Sequence, residues 1–237
     1  AQYLGARARE RACDTAKQLV WATTLIAALI GLVAAVWNGP ILGAIYGALE
    51  PNVMENARVY FLISAISYPF LALYNAGAAL YRSMGNSRIS LIISLIMNVV
   101  NVAGNALLIF VFDMGVAGAA LASLASRVLA AVIVTKLICH KSNPIHVNRL
   151  FHFEWNGDIL RRILGIGVPN GMENGVFQVG KLVVSNLIAG LGTSVIAANA
   201  ICNTVSGLVC VPGNAIGLAL ITVVGQCVGA RAIREAQ

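Results

Sequence analysis

The stretch ISLIISLIMNVVNVAGNALLIFVF, Ile89–Phe112, decides the fold. It holds no charged side chain and exceeds the about 20 apolar residues a helix needs to cross a bilayer. Its polar residues are not scattered. Ser90, Ser94, Asn98, Asn101 and Asn105 fall within an arc of roughly 80° at 100° per residue. The stretch therefore reads as a membrane-spanning helix with one polar stripe.

Five further stretches have the same character: Leu19–Trp37, Val59–Leu80, Val116–Cys139, Ile163–Leu191 and Val195–Val228. Turn chemistry separates them at Asn38-Gly39-Pro40, Met84-Gly85-Asn86, Asp113-Met114-Gly115 and Gly190-Leu191-Gly192. Short connections imply antiparallel neighbours. The last stretch is too long for one straight span, and Pro212-Gly213 is expected to kink it. Composition agrees with an all-α polytopic membrane protein. Of the 237 residues 59% are hydrophobic and only 11% charged, with a mean hydropathy of +0.82. A soluble domain carries roughly a quarter charged residues. A water-soluble fold and intrinsic disorder are both excluded.

The net charge of +7 points to basic cytoplasmic loops rather than to nucleic acid. Thirteen of the 16 basic residues lie at the two ends, in the Arg82/Arg88 connection, or around the long linker between the fourth and fifth spans. The opposite loops hold Glu50, Glu55, Arg58 and Asp113. Both ends and the linker are thus expected on the cytoplasmic side of the plasma membrane, the inner membrane of a prokaryote. The linker, Lys141–Arg162, sets Phe151, Phe153, Trp155, Ile159 and Leu160 among charges, which fits an interfacial helix.

Two segments repeat. Gln2-Tyr3-Leu4-Gly5-Ala6-Arg7-Ala8 and Gln226-Cys227-Val228-Gly229-Ala230-Arg231-Ala232 share Q-x-x-G-A-R-A, and both leave a span on the cytoplasmic side. If six helices form one period, the chain is a piece of a longer protein with two parallel six-helix halves.

Polar stripes recur. The sixth span carries Asn199, Asn203, Ser206, Cys210 and Asn214; the fifth carries Asn170, Glu173, Asn174, Lys181 and Ser185. Opposite the latter, Met172, Val176, Val179, Val183 and Leu187 suit lipid. Weaker stripes occur on the second span (Ser64, Ser67, Tyr68, Asn75) and the fourth (Ser123, Ser126, Arg127). Such residues serve either as hydrogen bonds across helix seams or as a shared, partly hydrated interior. The pairs Gly171/Gly175, Gly213/Gly217 and Gly225/Gly229 read as close helix packing.

Arg127, Glu173 and Lys181 are the charges well inside spans. Glu173, about 15 Å along its helix, is close to mid-bilayer. It is either an ion or substrate site or half of an ion pair with Arg127 or Lys181. The five cysteines form no CxxC, and His140, His146 and His152 stand six residues apart in one hydrophilic segment, outside the usual metal-ligand spacing, so no disulfide framework or metal site is expected. No enzyme signature is present.

The chain resembles the multidrug and toxic compound extrusion (MATE) transporters of the multidrug/oligosaccharidyl-lipid/polysaccharide flippase superfamily. The resemblance rests on the doubled Gln-x-x-Gly-Ala, on Tyr81–Ser87 after Pro69, on Met114–Ala122, on Gly165-Ile166-Gly167-Val168-Pro169, and on Ile196-Ala197-Ala198-Asn199. It implies helices three to eight of twelve. Residues 1–140 would be the remainder of the N-terminal lobe, 141–162 the inter-lobe linker, and 163–237 the start of the C-terminal lobe. It also implies rocker-switch export of organic cations by a monomer, driven by Na⁺ or H⁺ with no other cofactor. An Asn-x-x-x-Asp pair couples the ion in many relatives; here it matches Asn101 and Asn105, an amide replacing the carboxylate. Some relatives use a seventh-helix Glu, for which Glu173 is the candidate. The ion-coupling or substrate-binding candidates are thus Glu173, Asn101, Asn105, Asn170, Asn199, Asn203, Arg127 and Lys181. The alternatives are a lipid-linked oligosaccharide flippase, whose cavity would be richer in Arg, and a membrane scaffold without transport.

Overall fold

The computed structural model describes residues 1–46, 51–140, 145, 156–189, 193–232 and 234. All their regular elements are helical: α1 (Gln2–Gly5), α2 (Arg9–Val36), α3 (Asn38–Tyr46), α4 (Pro51–Ser83), α5 (Ser87–Ala106) with a π-helical turn (Leu107–Val111), α6 (Gly115–Ile138), α7 (Gly157–Ala189) and α8 (Thr193–Gly229). Two compact units result. One comprises Ala8–Glu154; the other joins Ala1–Arg7 to Trp155–Gln237.

In the first unit α2 and α6 pack on α4, and α5 packs on α6. Lipid supplies no hydrophobic drive between helices, so close approach at small residues does the work. A Cβ built on Gly31 would lie 2.6 Å from the Ala65 carbonyl oxygen, and one on Gly77 only 2.5 Å from Val134 Cγ2. Gly104 meets the Ala122 Cβ and Gly118 the Leu108 backbone, both at 3.1 Å. Ala65, Ala78, Ala120, Ala130, Ala131 and Val134 form the buried centre, while Leu91, Leu95, Val99, Val102 and Phe110 face outward. That is the distribution expected of helices dissolved in lipid.

Among the described residues five helices are long and apolar enough to cross a membrane: Arg9–Val36, Asn52–Ser83, Ser87–Val111, Gly115–Ile138 and Ser194–Gly229. The fifth expected span, α7, is a helix of 33 residues but is not among them. Its polar stripe and charges dilute its hydropathy. The expected break at Asn38-Gly39-Pro40 is a single turn residue, Trp37, after which α3 begins. Pro40 lies in the first turn of α3, where a missing N–H costs no helical bond. Helix α8 runs through Pro212 as one element of 37 residues. Gly85 (φ 79°) and Gly115 (φ 52°) supply left-handed turns where turn chemistry predicts them.

Helix α7 starts at Gly157, so residues 157–162 at the end of the linker are its first turns, and the residues read as an interfacial helix before them lie almost wholly outside the described ones. Asn156 caps α7, its Oδ1 accepting the Asp158 N–H at 3.2 Å. Phe151, Phe153, Trp155, His146, His152, Glu50 and the Gly190-Leu191-Gly192 turn lie outside the described residues.

In the second unit the two repeated segments pack on each other. A methyl built on Gly5 would overlap the Gln226 carbonyl oxygen, and one on Gly229 the Gln2 carbonyl oxygen. The segments also share backbone geometry. Ala6 and Ala230 donate to the Gln2 and Gln226 carbonyls at 3.0 and 2.9 Å, and Arg7 and Arg231 donate to Leu4 and Val228. Arg7 (φ 55°) and Arg231 (φ 60°) are both left-handed. Reciprocal contact between copies of one motif is the signature of local two-fold symmetry. Of the other glycine pairs, Gly171, Gly175, Gly213 and Gly217 have no described neighbour within 4 Å of a built Cβ. Of these three pairs, close packing among the described residues is seen at Gly225 and Gly229.

Candidate functional site

Each unit contains a polar seam, assembled from stripes that the helical period sets on one face. In the first unit Asn101 Nδ2 donates to Ser123 Oγ at 3.1 Å and to Ser126 Oγ at 3.5 Å. Asn105 Nδ2 donates to Asn101 Oδ1 at 3.2 Å. Arg127 donates through Nη1 to Ser67 Oγ, and the Ser67 hydroxyl in turn donates to the Ser64 carbonyl at 2.6 Å. Ser67 and Ser126 are buried. The seam thus links α4, α5 and α6, with Arg127 half-buried within it.

One acceptor in this seam stands out. Asn105 Oδ1 is buried and has no hydrogen-bond partner among the described residues. An amide cannot gain a proton at neutral pH, but its carbonyl oxygen suits a hard cation such as Na⁺. Not every member of the α5 stripe joins the seam. Ser90 is spent on packing, donating to the Ala78 carbonyl at 2.9 Å, and Asn98 is exposed.

In the second unit α7 and α8 enclose an open cleft of about 1220 Å³. Helix α8 lines it with Asn199, Asn203, Ser206, Gly207, Cys210 and Asn214. The whole α8 stripe therefore faces one space. Helix α7 contributes Val176, Phe177, Gly180, Lys181, Val184 and Ser185. Asn170, Glu173 and Asn174 of the α7 stripe are not part of its lining. Asn174 Nδ2 instead donates back to the Asn170 carbonyl at 2.8 Å, and Glu173 is exposed. Val176, assigned to the lipid side from the sequence, lines the cleft.

Glu173 and Lys181 do not pair; the Lys181 ammonium sits 5.0 Å from the centre of the Phe177 ring. Phe177 is the participant that stripe reasoning missed. Its signal was the four-residue spacing to Lys181, which stacks the two on one helix face.

Comparison with known proteins places this architecture. The family sequence model described as MatE matches residues 1–107 and 169–237. The chain belongs to the MatE family. The chain is similar to an uncharacterized transporter, YisQ, of Bacillus subtilis, 26% identical over 97% of this chain and 51% of its own length. A probable multidrug resistance protein NorM of Thermotoga maritima is 26% identical over 89% of this chain and 46% of its own. The chain thus spans about half the length of the curated relatives it matches. An outward-facing multidrug resistance MATE transporter of the MOP superfamily superposes with a TM-score of 0.89 at 19% identity, over 99% of this chain and 52% of that one. That likeness shows the MatE fold.

Proposed function

We propose that this chain is part of an exporter that moves amphipathic small molecules, organic cations among them, by alternating access coupled to entry of Na⁺ or H⁺. The relatives named as multidrug resistance proteins support the reading. The observation that carries it is the α7–α8 cleft, in which a complete helical stripe of amides and hydroxyls opens opposite apolar walls. Such a lining offers a ligand both hydrogen bonds and apolar area. A scaffold has no use for it.

Coupling is assigned to Glu173, the acidic residue deepest in a helix. A proton-driven cycle needs a carboxylate, which Asn101 and Asn105 lack. A Na⁺-driven cycle has a separate candidate oxygen within the first unit, Asn105 Oδ1. On this reading the transporter works as a monomer in the plasma membrane, with both ends of the chain and the linker in the cytoplasm. The test is ethidium export from proteoliposomes holding the full-length protein, under an imposed Na⁺ or H⁺ gradient. Export that follows one gradient and collapses with it is expected. Ethidium movement indifferent to both gradients would refute ion-coupled efflux.

A further inference from the structure

We infer that the α7–α8 cleft is a binding site for an anionic group, a carboxylate, sulfonate or phosphate carried on an apolar body, with Lys181 as its charge partner. The inference rests on the export reading and names a part of its substrate class. Lys181 is the one charged residue among the described lining. It stands eight residues before the end of α7, about 12 Å along the helix. A lysine near a helix end ordinarily reaches toward the headgroups. This one turns the other way, back along the helix over Phe177.

An ammonium held there has three N–H donors, yet Lys181 makes no ion pair within the described unit, and an aromatic face satisfies it only in part. The cost of a charge within a span then has to be offset by water or by an incoming anion. The opposing helix supplies what an anion needs. Asn199, Asn203 and Ser206 bring neutral N–H and O–H donors to the same cleft, and no carboxylate among the described lining competes for Lys181. Gly180 and Gly207 border open space, where a Cβ on either meets nothing within 4 Å. Val176 and Val184 leave apolar wall for the rest of the molecule.

The experiment uses the full-length protein in nanodiscs of phosphatidylcholine, with fluorescein as the anionic probe and ethidium as the cationic one, both read by fluorescence anisotropy. Lys181→Gln is expected to weaken fluorescein binding by about tenfold or more. Lys181→Arg, which keeps the charge, should stay within about threefold of wild type. Gly207→Leu, which narrows the cleft beside Lys181 and leaves the charge, should also weaken fluorescein binding. Ethidium binding should not weaken in Lys181→Gln. Repeating the titration with phosphatidylglycerol in the disc separates the sources. A rise in the wild-type Kd that is absent in Lys181→Gln identifies a lipid headgroup phosphate as an occupant of the site. An unchanged Kd leaves the free amphipathic anion. Absence of fluorescein binding, or binding indifferent to Lys181→Gln, overturns the anion site whatever ethidium does. Loss of gradient-driven ethidium export with Lys181-dependent fluorescein binding intact overturns the export reading alone.

Discussion

Gly5 and Gly229 occupy equivalent places in a reciprocal contact, each covered by the carbonyl oxygen that opens the other's motif, Gln226 for Gly5 and Gln2 for Gly229. Neither position has room for a side chain, because the obstacle is backbone and cannot rotate away. Gly5→Ala and Gly229→Ala should each destabilise the junction by about 1–3 kcal/mol. The double variant should cost less than the sum, since both break one contact. Alkylation of Cys227, beside Gln226, followed by peptide mass spectrometry, reports the opening. Unchanged Cys227 reactivity in both variants would contradict the tight junction.

Arg7 and Arg231 are left-handed at the ends of the repeated turns. A side chain there meets the following carbonyl, a strain of about 1–2 kcal/mol that glycine does not feel. Arg231→Gly should therefore raise the midpoint of thermal unfolding, and Arg231→Val should lower it. The comparison removes the positive charge in both variants, so the backbone effect is isolated.

Gly77 is pressed against Val134 and Ile138 of α6. Gly77→Ala should destabilise by about 1–3 kcal/mol through overpacking. Adding Val134→Ala removes the nearest obstacle and leaves the flexible end of Ile138, so the pair should recover part of the loss in a denaturant titration. Gly175→Ala, facing open space in the described structure, is expected to cost nothing.

Asn101 ties α5 to α6, whereas the exposed Asn98, three residues earlier on the same stripe, makes no such tie. Asn101→Ala should cost about 0.5–2 kcal/mol and Asn98→Ala much less. Equal effects in a denaturant titration would mean that the seam contributes nothing to stability.

Glu173 has no ion-pair partner within its described unit and is exposed there. Glu173→Gln should leave thermal stability within about 0.5 kcal/mol of wild type while abolishing gradient-driven export. A well-expressed Glu173→Gln protein that still exports ethidium removes Glu173 from the coupling mechanism.

The membrane class, the helix positions and the polar stripes were legible in the chain because hydropathy and the 100° helical step are local properties. The Asn199–Asn214 stripe is complete in the structure for that reason. So is the repeat, since identical residues bring identical turns. Where reading failed, the missing information was a neighbour. Nothing local tells Gly171, with open space beside it, from Gly229, pressed onto a carbonyl, or says that Ser90 is consumed by packing while Asn105 keeps a buried free oxygen. Nothing local says that Lys181 turns onto Phe177 and leaves Glu173 alone. Periodicity decided which residues share a helix face. Only the tertiary structure decided what each face meets, because close approach and hydrogen-bond pairing depend on a second helix whose placement is not written in the first.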